Sequence, residues 1–427
     1  MSSKGGTYQN TSFIVYLVKL CIYLYRIIVG GETMKTWLKI LVSLGLIISV
    51  CACSNSVETS HTYESVDDIS NHFNWDLYTN LSIKRNHFYS AYGILSALMM
   101  ADNGAEGAAR KELESALGIK DRDAFNKAYK KLREALIADN FINASALFMK
   151  DSIDVSDKYE DLIKKYYDAD TKKVDFSNIN KVRELIRKWV DEKTNHFIKD
   201  YKSSVDQESV GSLLNTIYYK GEWEEPFIAN DTYEEDFHEG KNTYKVEMMH
   251  KFDEKIQYYS NDTLKGINLP YKDDKVMTVI MPRDDTHISK IWEKMSYQDK
   301  TDFIKQIDDS DLTKLYKLGL CKLDEQMSYD NLLDKLNTLG IKTLFTDQAD
   351  LSHISKDIMF SDISHIGKIK VDEKGTEAAA VTEIIVKSTA IPQQEKTTFI
   401  TDHPYIYMIR DKNTGIILFT GEVNTLK

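Results

Sequence analysis

Apolar residues recur at helical spacing through the first half of the folded region and at alternate positions through the second. FNWDLYTNL, the run from Ala109 to Ile137, and VRELIRKWVDEKTNHF carry the helical pattern. KVMTVIMP and KIKVDE read as strands, and HPYIYMIRDKNTGIILFTGEV as two alternating strands around a turn at Asp411–Gly415. Helices early and strands late predict an α+β class rather than repeated strand–helix units. Length alone favours two domains. Yet no Gly/Ser- or Pro-rich linker divides the chain, and Pro226, Pro270, Pro282, Pro392 and Pro404 are scattered. No segment repeats at a fixed period, so one large mixed domain is expected.

The most informative stretch is Lys370–Pro392, KVDEKGTEAAAVTEIIVKSTAIP. Counting from Thr376, every second residue is uncharged: Thr376, Ala378, Ala380, Thr382, Ile384, Val386 and Ser388. The interleaved set holds Glu377, Glu383 and Lys387. In a strand these two sets face opposite sides of the sheet, one suited to burial and one to water. By propensity EKGTEAAA also fits a helix. The polar run QQEKTT that follows reads as exposed loop. A segment patterned for burial but placed as a loop suggests a chain with two states.

Its surroundings carry a family resemblance. EKGTEAAA, a following bait segment, Pro404, and the strand from Tyr405 with Ile409, Arg410 and Asp411 resemble the carboxy-terminal signature of the serpins. SAYGILSALMMADNGAEGAARKELESALG, SLLNTIYYKGEWEEPF, VEMMHK, INLPYKDDKVMTVIMP and LGIKTLFTDQADLSHIS resemble further serpin blocks, in the family's order. The likeness runs from near Thr62 to Lys427.

The resemblance implies a large central β-sheet with further sheets, about nine helices, and an exposed reactive-centre loop at about residues 373–398. It implies a hinge at Glu373, Gly375, Thr376, Glu377, Ala378, Ala379 and Ala380, whose small residues can slide into a closing gap. Counting by the family's spacing from Glu373 places the reactive bond at Thr389–Ala390, which suits elastase-like proteases. Lys387–Ser388, on the same strand parity, is the alternative and suits trypsin-like ones. Ser90, Asn215 and His365 match a polar cluster beneath the main sheet, and Trp223 the tryptophan where the loop first enters it. Ala91 and Gly93 replace a proline and a second serine of that motif. A looser cluster is therefore expected, with the fold unaffected. Target serine proteases, held as a covalent acyl complex, are the implied partners, with cysteine proteases as a second class. A monomer that needs no cofactor or metal is expected. The alternative is a serpin-fold binding protein whose loop is only a substrate; it commonly carries bulky, Pro or charged residues where Thr376 and Ala378–Ala380 stand.

Composition changes this picture little. The net charge of −11 disfavours nucleic acid as a partner. The cluster Lys127, Lys130, Lys131 and Arg133 is diluted by Asp121, Asp123 and Glu134, and reads as a solvated helix face. Of four cysteines only Cys321 lies in the folded body, which excludes a disulfide framework there. No Gly-x-Ser-x-Gly, His-Glu-x-x-His, P-loop or Cys-x-x-Cys motif occurs in the body, so nothing supports an enzyme.

Two apolar runs precede the body. Met34 and Lys35 lead into LKILVSLGLIISV and then Val50-Cys51-Ala52-Cys53, a charged start, a short apolar core and small residues. Residues 34–53 read as a secretory signal whose end resembles a bacterial lipobox, with Cys53 lipidated and 54–61 a short tether. A plain signal peptide or short anchor is the alternative. Residues 1–33, whose apolar run carries Lys19 and Arg26, read as an extension upstream of the true start. An exported chain is expected, anchored by lipid to the bacterial outer membrane or cell surface, with residues 62–427 as its single domain.

Overall fold

The computed structural model describes residues 65–80, 86–138, 140–329, 332–356, 358–360, 363–376 and 397–427. The chain divides into two compact units, Met1–His61 and Thr62–Lys427, and every described residue belongs to the second. Cys53 and the bait segment from Glu377 to Lys396 lie outside the described residues. Among the described residues, no helix is long and apolar enough to cross a membrane.

The opening half is largely helical: α1 Val66–Asn80, α2 Ala91–Gly104, α3 Gly107–Ala116, α4 Arg122–Leu136, α5 Asp157–Tyr167 and α6 Ile179–Lys193. Strands β1 His87–Tyr89, β2 Phe141–Lys150 and β3 Asp170–Val174 are interspersed. The run Ala109–Ile137 is two helices, not one. Gly118 adopts φ 67°, the left-handed conformation a glycine tolerates, and Asp121 caps α4 by accepting from Ala124 N. Helix α4 buries Phe125, Tyr129 and Arg133 on one stripe. Lys127 and Lys131 are exposed, Lys130 pairs with Glu134, and the buried Arg133 lies 3.8 Å from Asp168.

Strands dominate thereafter: β4 Gly211–Tyr219, β5 Gly221–Glu222, β6 Thr232–Glu239, β7 Asn242–Ser260, β8 Leu264–Pro270 and β9 Lys275–Pro282. Helices α7 Ile288–Trp292 and α8 Tyr297–Asp308 follow, then β10 Leu312–Cys321, β11 Leu323–Tyr329 and α9 Leu333–Thr338. The chain closes with β12 Ile363–Asp372, β13 Gly375–Thr376, β14 Thr398–Ile400, β15 Tyr405–Asp411 and β16 Ile417–Val423.

Two sheets result. The larger runs β1-β16-β15-β9-β8-β7-β10-β14, with β6 on β7. The seven-stranded sheet runs β3-β2-β4-β12-β13-β5, with β11 on β12. Its central β4 is buried at all nine positions, so both faces are covered, the pattern of an internal strand. Helix α2, buried along its whole length, packs beneath it. The architecture is α+β, with nine α-helices among the described residues.

Candidate functional site

The seven-stranded sheet is open at one end, and a short strand sits in the opening. Chain leaving β12 turns at Glu373–Lys374, where Asp372 accepts from Lys374 N at 3.0 Å, and returns as β13. Thr376 pairs with Val371 of β12 on one side and Gly221 of β5 on the other. The approach is so close that a Cβ on Gly375 would stand 1.9 Å from the Gly221 carbonyl oxygen. Its φ of 155° adds strain for any side chain. Only glycine fits there.

The carbonyls of Asp372, Glu373 and Lys374 are all bound. Trp223 N donates to Lys374 O at 2.8 Å, Phe227 N to Glu373 O at 2.7 Å, and Trp223 Nε1 to Asp372 O at 3.0 Å. The Glu373 carboxylate accepts from Thr232 Oγ1 at 2.7 Å and Lys322 Nζ at 2.9 Å. Partial burial alone would raise its pKa. The bonds from Lys322 and Thr232 outweigh that and hold it below the usual carboxylate range. Trp223, buried, stacks on Tyr271 at 4.5 Å, and the Tyr271 hydroxyl lies 2.7 Å from Thr376 Oγ1. Thr376 is only 2% exposed.

Further down, β4 and β12 close on each other. They pair in parallel from Leu213 opposite Ile363 to Ile217 opposite Gly367, and no further. Beneath those pairs lies the polar cluster. His365 Nδ1 and Asn215 Oδ1 are 3.0 Å apart, and His365 Nε2 accepts from Ser90 N at 3.0 Å. The ring therefore carries its proton on Nδ1 and is neutral; complete burial pushes its pKa down to about 3. Asn215 Nδ2 donates to Asn143 Oδ1 at 2.7 Å and approaches Ser145 Oγ at 3.2 Å.

The structure thus brings Ser90, Asn215 and His365 together, and places Trp223 apart from them, against the hinge turn. The expected looseness at Gly93 is not found. A Cβ there would stand 2.4 Å from Asn215 Oδ1, so the Asn215 amide already fills the space of a side chain. Gly93 N donates to Ser90 Oγ at 3.0 Å, which caps α2. Sequence reasoning missed Tyr271, Lys322, Thr232, Asn143 and Ser145. Thr232 and Glu373 are 141 positions apart and Tyr271 and Thr376 are 105 apart, and no local pattern joins them. Only Tyr271, inside the block INLPYK, lay in a segment already singled out.

A family model, serpin (serine protease inhibitor), matches residues 68–426. An uncharacterised serpin-like protein of Thermococcus kodakarensis is 33% identical over 366 residues, covering 83% of this chain and 84% of that protein. The leukocyte elastase inhibitor of Bos taurus is 31% identical over 358 residues, covering 80% and 93%. Among solved structures, the native-state thermophilic serpin tengpin superposes with a TM-score of 0.76 at 27% identity, covering 85% of this chain and 95% of that one. The chain belongs to the serpin family, a family that includes protease inhibitors.

Proposed function

We propose that this protein inhibits serine proteases as a suicide substrate. The protease cuts the bait segment and becomes its acyl-enzyme. The severed strand then inserts between β4 and β12, carrying the protease with it. Serpin loop insertion is a known instance of strand addition, so the question is what in this chain supports it.

One observation carries the reading. The register of β13 extends down the sheet without conflict. Pairing Thr376 with Val371 and Gly221 implies, two residues at a time, Ala378 opposite Ile369 and Tyr219, and Ala380 opposite Gly367 and Ile217. Thr382 then falls opposite His365 and Asn215, and Ile384 opposite Ile363 and Leu213. From Ala380 onward these are the partners that β4 and β12 already present to each other. A new strand needs no slip of either neighbour, which matters because a one-residue slip reverses every side chain. The uncharged parity then follows the buried face of Thr376.

The deciding experiment mixes the protein with an elastase-like or trypsin-like protease and resolves the products on a denaturing gel. A covalent band that survives SDS is expected. Complete cleavage with no such band would favour the alternative, a binding protein whose loop is merely cut.

The bond itself is proposed as Thr389–Ala390 for elastase-like and Lys387–Ser388 for trypsin-like enzymes. Mass spectrometry of the released carboxy-terminal peptide should find starts at Ala390 and Ser388 respectively. A start beyond Pro392 with both enzymes overturns the assignment. For location we propose export and lipidation at Cys53. Labelled fatty acid should enter the wild-type chain and not Cys53→Ala, and the variant should leave the membrane fraction; equal labelling of both chains refutes this.

A further inference from the structure

Strand β16 is buried at all seven positions, yet it carries a carboxylate, Glu422, that is 1% exposed. Alternation puts Thr420 and Glu422 on the same face of the strand. Helix α1 meets β16 with a polar stripe. Asn71 Oδ1 accepts from Ile417 N at 2.8 Å, Asn74 Oδ1 accepts from Thr420 Oγ1 at 2.8 Å, and the Tyr78 hydroxyl donates to Glu422 Oε2. Residues 71, 74 and 78 share one face of a helix, so three rungs fasten α1 along the strand. Only the last rung contains a carboxyl group.

The groups around that carboxyl can change charge too. His87 of β1, opposite Glu422 in the ladder, places Nε2 3.7 Å from Oε2. His287, just before α7, places Nδ1 3.9 Å from Oε1 and 2.8 Å from Ser289 Oγ. Glu293, at the end of α7, adds a like charge, and the Tyr89 phenol of β1 interacts with Glu422 as well. Among the described residues, no Lys or Arg comes within ion-pair distance of Glu422. An imidazole is a cation only when protonated. Burial, and then Lys290, push the His287 pKa down, so that ring does not supply the missing charge near neutral pH. A carboxyl in such a place favours its neutral form, because a buried charge without a cation costs more than its hydrogen bonds offset.

We propose that Glu422 is a proton switch that tightens this fold in mildly acidic surroundings and loosens it near neutrality. The switch operates whether or not the chain traps proteases. Protonated, the carboxyl still accepts from Tyr78 and fills its site without an unpaired charge. Ionised, it requires water or a protonated ring, and the open side is that of His287, whose side chain is 30% exposed. Burial carries the Glu422 pKa from 4.5 to about 7, against the hydrogen bonds from Tyr78 and Asn424. The folded-state value lies above the unfolded one. The stabilisation is therefore complete below 4.5 and is lost as the pH rises through about 7. Carboxylates held in ion pairs act in the opposite sense, losing stability as the pH falls.

The test follows the titration in intact protein whose glutamate carboxyls carry an isotope label read by NMR. Labelling glutamate alone keeps the buried Asp102, also pushed up to about 7, out of the spectrum. One glutamate signal should titrate with a midpoint of about 7 and be missing from Glu422→Gln. Tyr78→Phe removes a bond that favours the ionised form and should move that midpoint further up. Glu422→Gln mimics the neutral carboxyl at every pH, so thermal scans supply a second readout. Between about pH 5 and about pH 7.5 the wild type should lose about 4 °C in melting temperature relative to Glu422→Gln. All other titrating groups are shared by the two proteins and cancel. A Glu422 signal that titrates in the ordinary carboxylate range overturns the proposal, as does a difference in melting temperature that is the same at every pH. A midpoint that Tyr78→Phe leaves in place also overturns it. Should Glu422→Gln fail to fold, the wild-type titration and its displacement in Tyr78→Phe decide the matter.

Discussion

Protein cut in the bait segment is expected to melt tens of degrees above the intact chain. In the intact structure β4 and β12 share five residue pairs, and the ends of both strands toward Gly375 have only the two-residue β13 between them. Insertion of residues 377–386 exchanges those five pairs for two full ladders, a net gain of about ten hydrogen bonds at about 1 kcal/mol each. It also buries Ile384 and Val386, at about 1.5–3 kcal/mol apiece. Against this stands the parting of His365 from Asn215, a single buried bond of about 1 kcal/mol that Thr382 is placed to replace. The balance rivals the whole stability of an ordinary domain. At a few degrees per kcal/mol for a chain of this size, the shift is large and easily measured. Thermal scans of intact and elastase-cut protein, each followed by circular dichroism, test it. Coincident transitions would mean that the severed segment does not enter the sheet.

The same arithmetic explains which parts of this molecule could be read from its sequence. The paired strands at Tyr405–Asp411 and Ile417–Val423 were legible because alternation and a five-residue turn are local properties. So was the inward parity at Thr376, since the side chain that begins the uncharged set is the one the structure buries against Tyr271. The division of Ala109–Ile137 was not foreseen, because its apolar spacing continues across Gly118 and only the backbone conformation of that glycine reveals the break. Gly93 was misread for a different reason. A missing side chain looks like lost packing until the residue that occupies its space, Asn215, is known. The clasp on Glu373 was invisible altogether, because it joins β12, β6 and the β10–β11 connection, three segments that meet only in the folded sheet.

If the protein traps proteases as proposed, replacing Thr376 by Arg is expected to leave a chain that is cut but does not trap. Thr376 is the first residue of the insertable parity, it is 2% exposed, and its hydroxyl is satisfied by Tyr271, which in turn is clamped by Trp223. The slot is closed by the Tyr271 ring and the backbones of β5 and β12 and is sized for a threonine, so burying a guanidinium there costs several kcal/mol in desolvation and displaced packing. The variant avoids the cost by leaving the slot, which also releases the wedge that starts insertion. Cleavage, which depends on the bait segment reaching the protease, proceeds at a similar rate. Insertion, which must outrun hydrolysis of the acyl-enzyme, does not. The expected result is therefore normal cutting with little or no SDS-stable complex. Thr376→Ala supplies the control: it removes one buried hydrogen bond, about 1 kcal/mol, but no space and no neutrality, so it should retain most of the complex. Full complex yield from Thr376→Arg would show that trapping does not pass through this slot. Loss of complex in Thr376→Ala as complete as in Thr376→Arg would assign the effect to the Tyr271 hydrogen bond rather than to charge.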